Sequence, residues 1–355
     1  MPVPPDEPTR PVNRISGCRR KLMQATPWLP TVCRLIATAV FSLGTALSGD
    51  ANAAANKILI GVAQVPHSLP FFVAEQEGFL AQEAPNVQLV KCFPGRKCLD
   101  QLLAGTVQFA TAADTPVINA SFMRADFMVV ATIASSSSDI HLVGSKAAGV
   151  LATRQLIGKK VGVIKGTSTD YFLDSVLIFD GIDPAQVEKV DIAPDRMAAA
   201  LRQNQIDGFA LFDPGFSQAV ESLGDLVTLL KTPPIYLATF NLIGMRTSIG
   251  KNDADMVKVL RALDRANLFI QRHPDAVHRI LSQRLHMSEA SAKLVSKQLD
   301  YALSLDQTFI KTLEGEARWY SQQRGNVGIK PANYLDYIYP LPLRQVRPQA
   351  VTIVK

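Results

Sequence analysis

Lys57-Ile58-Leu59-Ile60-Gly61-Val62-Ala63 is the stretch of the sequence that decides the fold. It is a short apolar run with β-branched residues, and this pattern predicts a buried β-strand. A proline-bracketed loop, residues 64–70, follows it, and residues 71–82 then predict a helix. A buried strand that leads directly into a helix is typical of an α/β protein.

The same alternation continues along the chain and then restarts. In the first half the pattern predicts strands at 87–93, 109–112 and 127–134 and helices at 99–104 and 117–124. After a restart it predicts strands at 161–164, 188–192, 208–212 and 226–230 and helices at 169–180, 197–203 and 216–223. Amphipathic helices alone are predicted beyond Pro234, at 256–271, 276–285, 289–296 and 308–324. We therefore expect two α/β units with mostly parallel sheets, and a helical C-terminal third that packs back on the first unit.

That arrangement requires the chain to pass between the two units twice, near residues 142–151 and 231–241. Two α/β lobes joined by two crossings can close on a ligand by hinge bending.

Composition excludes several classes of protein. Hydrophobic residues make up 47% of the 355 and charged residues 19%, so the chain can bury large cores and is not mainly disordered. Half of the net charge of +6 lies in residues 1–53. No basic run or nucleic-acid motif accompanies that charge, so we expect no nucleic-acid partner.

The N-terminal segment has the pattern of an export signal. Arg19, Arg20 and Lys21 precede an apolar run at 35–47, which is too short to span a bilayer comfortably, and Ala51-Asn52-Ala53 matches a signal-peptidase site. We predict that residues 1–55 are cleaved, by either the general secretory or the twin-arginine route. The remaining protein is then soluble and periplasmic, with no lipid anchor.

Cys92 and Cys98 remain after that cleavage. In an oxidising compartment they could form a disulfide, and two free thiols are the alternative. A metal site would need more ligands than this pair offers, and none is predicted.

Loops at the carboxyl ends of the strands supply the candidate ligand-binding residues, because ligands of open α/β sheets bind there. Gly95 and Arg96 precede a helix, and Thr167 and Ser168 form a second glycine-containing loop before another; helix N-termini attract anions, and Arg96 adds a planar cation. Four loops and one strand end provide the complete set. The loops contain His67, Ser68, Gly95, Arg96, Asp114, Thr115, Thr167 and Ser168, and Asp213 lies at the end of the strand 208–212.

The chain after the export signal resembles the periplasmic solute-binding proteins of the alkanesulfonate/nitrate/taurine ABC-transport family. The order and spacing of five segments carry the resemblance: 71–80 (FFVAEQEGFL), 102–109 (LLAGTVQF), 114–116 (DTP), 156–168 (LIGKKVGVIKGTS) and 207–214 (DGFALFDP).

The resemblance implies a type II periplasmic-binding-protein clamshell, with a first lobe at 57–145 plus 238–345, a second lobe at 146–237 and a tail at 346–355. It implies a monomer without cofactor or enzymatic activity, which captures a small anionic or zwitterionic solute for an inner-membrane permease and its ATPase. The nine residues named above correspond to the family's cleft positions.

Two departures from the family lie in the expected pocket. Phe212 stands where tryptophan is frequent, and Arg96 stands where a small hydroxyl residue is usual. Alternative functions are a periplasmic sensor or an enzyme on the same fold, for which His67 and Asp114 are the candidate acid–base pair. Related thiamine-pyrimidine synthases carry a cysteine-rich motif that this sequence lacks.

Overall fold

A computed structural model of the chain describes residues 57–322 and 330–354. The predicted export signal, residues 1–55, lies outside the described residues. Within the described part of the chain, no helix is both long enough and apolar enough to cross a membrane.

The first of two five-stranded sheets has the order β2-β1-β3-β10-β4. Its strands are β1 (Ile58–Ala63), β2 (Val87–Cys92), β3 (Phe109–Ala113), β4 (Phe127–Ser136) and β10 (Ala238–Met245). Strands β1, β2 and β3 pair in parallel, and β10 runs antiparallel between β3 and β4.

The second sheet repeats this plan in the order β7-β6-β8-β5-β9. Its strands are β5 (Ile140–Ser145), β6 (Lys160–Val163), β7 (Glu188–Asp191), β8 (Gly208–Phe212) and β9 (Val227–Leu229). Again one strand, β5, runs against the other four. The predicted mostly parallel α/β architecture with a restart is confirmed.

Helices cover both sheets. Those that pack with the first sheet are α1 (Leu69–Gln76), α2 (Phe79–Glu83), α3 (Gly95–Leu103), α4 (Asp114–Ser121), α8 (Asp253–Arg272), α9 (Pro274–Leu285), α10 (Glu289–Val295), α11 (Gln307–Gln322) and α12 (Leu341–Val346). Those of the second sheet are α5 (Ser168–Phe179), α6 (Met197–Arg202) and α7 (Gly215–Leu223). We call each sheet with its helices a lobe. The helical C-terminal third shares the core of the first lobe, as predicted.

Strands β5 and β10 were not predicted. The sequence predicts crossings near 142–151 and 231–241, which overlap these strands, and it assigns β5 to the first lobe, within 57–145. It pairs with β8 and β9 of the second sheet, so the first crossing is the short segment 137–139 and the second is 230–237. Both strands carry polar residues at buried positions, and these interrupt the apolar pattern by which a strand is recognised.

The predicted tail, 346–355, is also corrected over its described part. Val351 pairs with Leu305, and Ile353 belongs to the core of the first lobe. The tail is therefore part of that lobe.

Two helix predictions differ in detail. The helix predicted at 71–82 is divided by Gly78, whose φ of +73° is a left-handed conformation that glycine adopts without strain. Helix α3 begins at Gly95 rather than at residue 99, which brings Cys98 onto its first turns. Cys98 is bonded to Cys92 at the end of β2, with Cα atoms 5.5 Å apart. The disulfide thus joins the end of a strand to the helix that follows it.

Candidate functional site

A small cavity of about 40 Å³ lies where the strand-to-helix loops of the two lobes meet. Five of the nine predicted site residues line it, and they come from both lobes: His67, Gly95, Arg96, Thr167 and Ser168. The rest of its lining consists of Val65, Pro94, Ala113, Pro116, Asp139, Ile140, Phe212, Ala238, Thr239 and Phe240. The other four predicted residues are buried in neighbouring positions of the same loops: Ser68, Asp114, Thr115 and Asp213.

Helix N-termini converge on this cavity. Pro94, Ala113 and Thr167 are the N-cap residues of α3, α4 and α5, and each lines the cavity or precedes a residue that does. None of these three residues caps its helix with a side-chain hydrogen bond, as far as the described residues show. Helix N-termini carry unpaired N–H groups and a partial positive charge, so their convergence suits an anion.

Asp114 is completely buried and binds the second crossing to the first lobe. Its Oδ1 accepts hydrogen bonds from Tyr236 Oη at 2.5 Å and from its neighbour Thr115 N at 2.9 Å. Its Oδ2 accepts from Thr239 N at 2.8 Å and Thr239 Oγ1 at 3.1 Å. A carboxylate has about four lone-pair sites, so Asp114 is saturated by protein donors.

Sequence reasoning missed Glu316, which lies beside Asp114. Glu316 is completely buried on α11, where its carboxyl group interacts with that of Asp114. Burial, together with the charge of Asp114, raises the pKa of Glu316 well above its usual range. Burial raises the pKa of Asp114 as well, but its hydrogen bonds from Tyr236, Thr239 and Thr115 lower it, so we assign the proton of the pair to Glu316 and the charge to Asp114. We call Asp114, Tyr236, Thr239 and Glu316 the crossing cluster.

The sequence contains a pattern from which the burial of Glu316 could be predicted. It falls on the apolar stripe of α11, in line with Phe309, Leu313 and Tyr320. A carboxylate at a core position of an amphipathic helix indicates a buried partner.

His67 does not pair with Asp114, so the acid–base pair considered for an enzyme is wrong. His67 Nε2 instead lies 3.0 Å from Asp139 Oδ2, and both side chains are almost completely buried. Asp139 belongs to the first crossing, and the His67 ring packs against Phe240 with centroids 5.1 Å apart. The His67–Asp139 contact therefore joins the first lobe to the first crossing, within the cavity lining.

Arg96 closes the edge of the cavity. Its Nη1 donates to the carbonyl oxygen of Lys165, 2.9 Å away in the second lobe. Beside it, Asn119 Nδ2 donates to the carbonyl oxygen of Gly166 at 3.0 Å. A third contact joins Trp319 Nε1 to Asp174 Oδ2 at 2.9 Å. These three hydrogen bonds, which we call the rim contacts, lie along an open groove of about 1230 Å³ between the lobes.

Hydrogen bonds of Thr167 and Asp170 hold the loop before α5. Thr167 Oγ1 donates to the carbonyl oxygen of Ile164, and Asp170 Oδ2 accepts from Gly166 N. Asp170 Oδ1 also accepts from Lys189 Nζ at 2.7 Å. Burial lowers the pKa of Lys189, but Asp170 and Asp174 offset this, and the net pKa is raised. Asp170 is therefore neutralised from within the second lobe.

Asp213 faces its own helix. Its Oδ1 accepts from Ser217 N at 3.0 Å, at the start of α7. Burial raises the pKa of Asp213, although the hydrogen bonds from Ser217 and the charge of His141 lower it in part.

The hydroxyl group of Ser68 is buried and has no hydrogen-bond partner within the described residues. A buried donor of this kind is available to a ligand.

Metal binding has no candidate here: the described residues contain no group of three His, Cys, Asp or Glu side chains placed to hold an ion.

Comparison with known proteins places this geometry in a family. The model of the family described as NMT1/THI5 like matches residues 65–277, more than half of the chain. The chain belongs to the NMT1/THI5-like family. The family match spans both crossings and every predicted site residue.

Two named proteins of Escherichia coli are similar to this chain in sequence. An Escherichia coli (strain K12) protein with the name aliphatic sulfonates-binding protein is 23% identical over 73% of this chain and 80% of its own length. The taurine-binding periplasmic protein of Escherichia coli (strain K12) is 28% identical over 49% of this chain and 54% of its own.

The fold is that of a solved binding protein. The alkanesulfonate-binding protein SsuA from Xanthomonas axonopodis pv. citri, bound to MOPS, superposes with a TM-score of 0.70 at 19% identity, covering 80% of this chain and 98% of that one. The resemblance drawn from the sequence is confirmed, and so is the two-lobed α/β clamshell.

Proposed function

We propose that this protein is the substrate-binding component of an ABC importer, which captures a small anionic or zwitterionic solute in the periplasm and delivers it to an inner-membrane permease and its ATPase. The observation that carries the proposal is the convergence of the N-termini of α3 and α5, uncapped by their own N-cap side chains, on one cavity between two lobes. The names of the relatives, which bind aliphatic sulfonates or taurine, support the same class of solute.

Closure of the lobes is the mechanism we propose for capture. The chain passes between the sheets only through segments 137–139 and 230–237 within the part that the structure describes, so these are the proposed hinges. When the lobes separate, the rim contacts break and the N–H groups become accessible; when they close, the anion replaces water as the partner of those groups.

In this proposal the backbone N–H groups at the helix N-termini bind the anion, and Arg96 lies at the entrance of the cavity. The guanidinium of Arg96 is exposed and engaged with Lys165, so its main role is to close the cavity, with its positive charge attracting the anion as it enters.

A thermal unfolding panel tests this function. Nitrate, methanesulfonate, ethanesulfonate, taurine and phosphate are added singly to the purified protein, with uncharged dimethyl sulfone as the matched neutral compound. A ligand present at about 100 times its Kd stabilises the folded state by about 2.7 kcal/mol, which corresponds to a rise in Tm of about 4 °C for a fold of about 300 residues.

A pair of variants locates the binding. Ala113→Leu places a larger side chain in the cavity lining and should abolish the ligand-dependent shift, whereas Ala302→Leu, at an exposed position, should retain it. A panel in which no anion shifts the unfolding of well-folded protein would refute the proposed function.

A further inference from the structure

The disulfide between Cys92 and Cys98 encloses part of the cavity wall. It joins the last residue of β2 to the first turns of α3, with Cα atoms 5.5 Å apart. Pro94, Gly95 and Arg96, which lie between the two cysteines in the chain, line the cavity. The cysteines themselves are not among the described residues that line it. Any effect of the disulfide on the site is therefore exerted through the residues that it encloses.

The first turn of α3 carries N–H groups that an anion in the cavity would meet. The first N–H groups of a helix have no acceptor inside the helix, and they carry its positive partial charge. Gly95 and Arg96 are the first two residues of α3, and both line the cavity. Their N–H groups are thus the donors of α3 in the proposed anion site, and their position fixes where an anion can bind.

The other contacts of this turn restrain it less firmly. The side chain of Arg96 donates to the carbonyl oxygen of Lys165 in the second lobe, and in the proposed opening this rim contact breaks. Gly95 packs on the first sheet, where an added Cβ would lie 3.3 Å from Phe240 Cε2 and 3.6 Å from Ala112 Cα. Packing of this kind limits how closely the turn approaches the sheet, but it does not prevent the turn from sliding along it. The disulfide restricts both movements.

The disulfide is anchored on the first sheet. Cys92 pairs with Ala63 at the end of the parallel ladder between β1 and β2, and Cys98 is completely buried. A Cβ at Gly61 of β1 would lie 3.6 Å from Cys92 Sγ and 3.6 Å from Cys98 Cβ, so the bridge packs directly on that strand. A covalent bond from a paired strand to α3 leaves the start of the helix little freedom. Donors that are ordered before a ligand arrives need not be ordered by it, which favours binding.

We propose that the Cys92–Cys98 disulfide positions the anion-binding N–H groups of Gly95 and Arg96 and holds them in place in the open, solute-free protein. The inference rests on the proposed function and adds a positioning element to its site. The two cysteines act through α3 and do not touch the solute. The affinity for the solute therefore depends on the disulfide, and the protein reaches its full affinity only when the pair is oxidised.

Cys92→Ala combined with Cys98→Ala tests this inference, with methanesulfonate and nitrate as the probes. Isothermal titration should give a Kd at least fivefold higher for the double variant than for the wild type, because the freed turn must then be ordered by the solute. The enthalpy of binding should change little, since the same N–H groups bind the anion in the complex. Leu281→Ala, which truncates a buried side chain of α9 outside the cavity lining, is the matched control; it lowers stability and should keep the wild-type Kd.

Two outcomes of this titration would count against the inference, and they are distinguishable. An unchanged Kd in the folded double variant would overturn the inference and leave the proposed function in place, because a disulfide with a purely structural role affects unfolding and not binding. Failure of the wild type to bind any anion of the panel would overturn both. Far-ultraviolet circular dichroism of each variant establishes that it is folded.

Amide hydrogen exchange of the wild-type protein is a second test, which does not require the double variant to fold. The amides of residues 99–101 donate to the carbonyl oxygens of the first turn of α3, as in any α-helix. Without added solute, we expect them to be protected as strongly as the amides of residues 102 and 103 later in the same helix. Weak protection of residues 99–101 in the solute-free protein would show that the disulfide does not hold the turn, and would overturn the inference.

Discussion

The crossing cluster and the rim contacts both join structural elements of the clamshell, and they differ in burial and in charge. The crossing cluster has a completely buried carboxylate that receives four hydrogen bonds from three residues. Two of the three rim contacts are single hydrogen bonds to backbone carbonyls, on residues beside an open groove. Bonds to a buried charge are stronger than neutral bonds near water, and they cost more to break.

This difference suits a protein that closes reversibly. The crossing must stay attached to the first lobe while the lobes move, whereas the rim must open to admit a solute. A strong buried attachment at the crossing and weaker bonds to backbone carbonyls of Lys165 and Gly166 at the rim divide these two tasks between different residues.

Asp114→Asn should lower the free energy of unfolding by about 3 kcal/mol, because the amide removes the charge and turns a donor toward Tyr236 or Thr239. Chemical denaturation at neutral pH measures this. Asp100→Asn is the matched control on an exposed position, and it should change the free energy by less than about 0.5 kcal/mol. Similar decreases in the free energy of unfolding for the two variants would contradict a stabilising role for the crossing cluster.

Glu316→Gln should change how stability depends on pH. The folded-state pKa of Glu316 is raised, so its proton is held by the folded protein and released on unfolding once the pH exceeds the ordinary value for a carboxyl. The wild-type protein therefore loses up to about 1.4 kcal/mol per pH unit from this group as the pH rises from the unfolded pKa towards the folded pKa. Glutamine stays neutral and abolishes that part of the loss.

Denaturation of both proteins between pH 4 and pH 8 tests this. The free energy of unfolding of the variant, measured relative to that of the wild type, should increase steadily as the pH rises. Parallel curves would show that Glu316 is ionised in the folded state, and the assignment of the proton would be wrong.

Asn119→Ala removes one rim contact and should weaken solute binding about fivefold, which corresponds to one ordinary hydrogen bond of about 1 kcal/mol. Its effect on the unfolding of the ligand-free protein should be small, since the open form does not make this bond. Titration calorimetry against the best anion measures the change, with Gln203→Ala on the surface of the second lobe as control. A loss of stability without a loss of affinity would contradict the role of the rim.

Gly166→Ala should give the smallest effect, and Gly158→Ala is its matched control. Both glycines have φ near +70°, so an alanine at either position carries the same backbone strain. A Cβ at Gly166 would lie 3.0 Å from Asn119 Nδ2, while one at Gly158 would meet nothing within 4 Å. We expect Gly166→Ala alone to weaken binding about twofold by disturbing the rim. Equal losses in both variants would show that backbone strain, not the rim, is responsible.

Much of the fold was predictable because it depends on local apolar runs. The strands β1, β3 and β8 and the amphipathic helices α8 and α9 were predicted to within a few residues. The restart of the pattern after β4 also predicted the second sheet correctly. These elements bury one continuous apolar face, which a single sequence displays directly.

Strands β5 and β10 and the crossing cluster could not be predicted, because they depend on partners far away in the sequence. Thr239 and Asn241 lie inside β10 as buried polar residues, and Asp114 and Thr132 satisfy them. Without those partners the segment looks too polar for a buried strand. The candidate loops were identified by their position after strands, but only the folded structure shows that Asp114 turns toward Tyr236 and His67 toward Asp139.

We expect the solute anion to lie at the helix N-termini between the two lobes. The most direct measurement is long-wavelength anomalous diffraction from crystals grown with ethanesulfonate, in which the sulfur atom of the solute gives its own peak. We predict one peak in the cavity, within hydrogen-bond reach of backbone N–H groups at the starts of α3 and α5, with the ethyl group against Phe240. A solute peak confined to the open groove outside the rim contacts, with none in the cavity, would contradict the account.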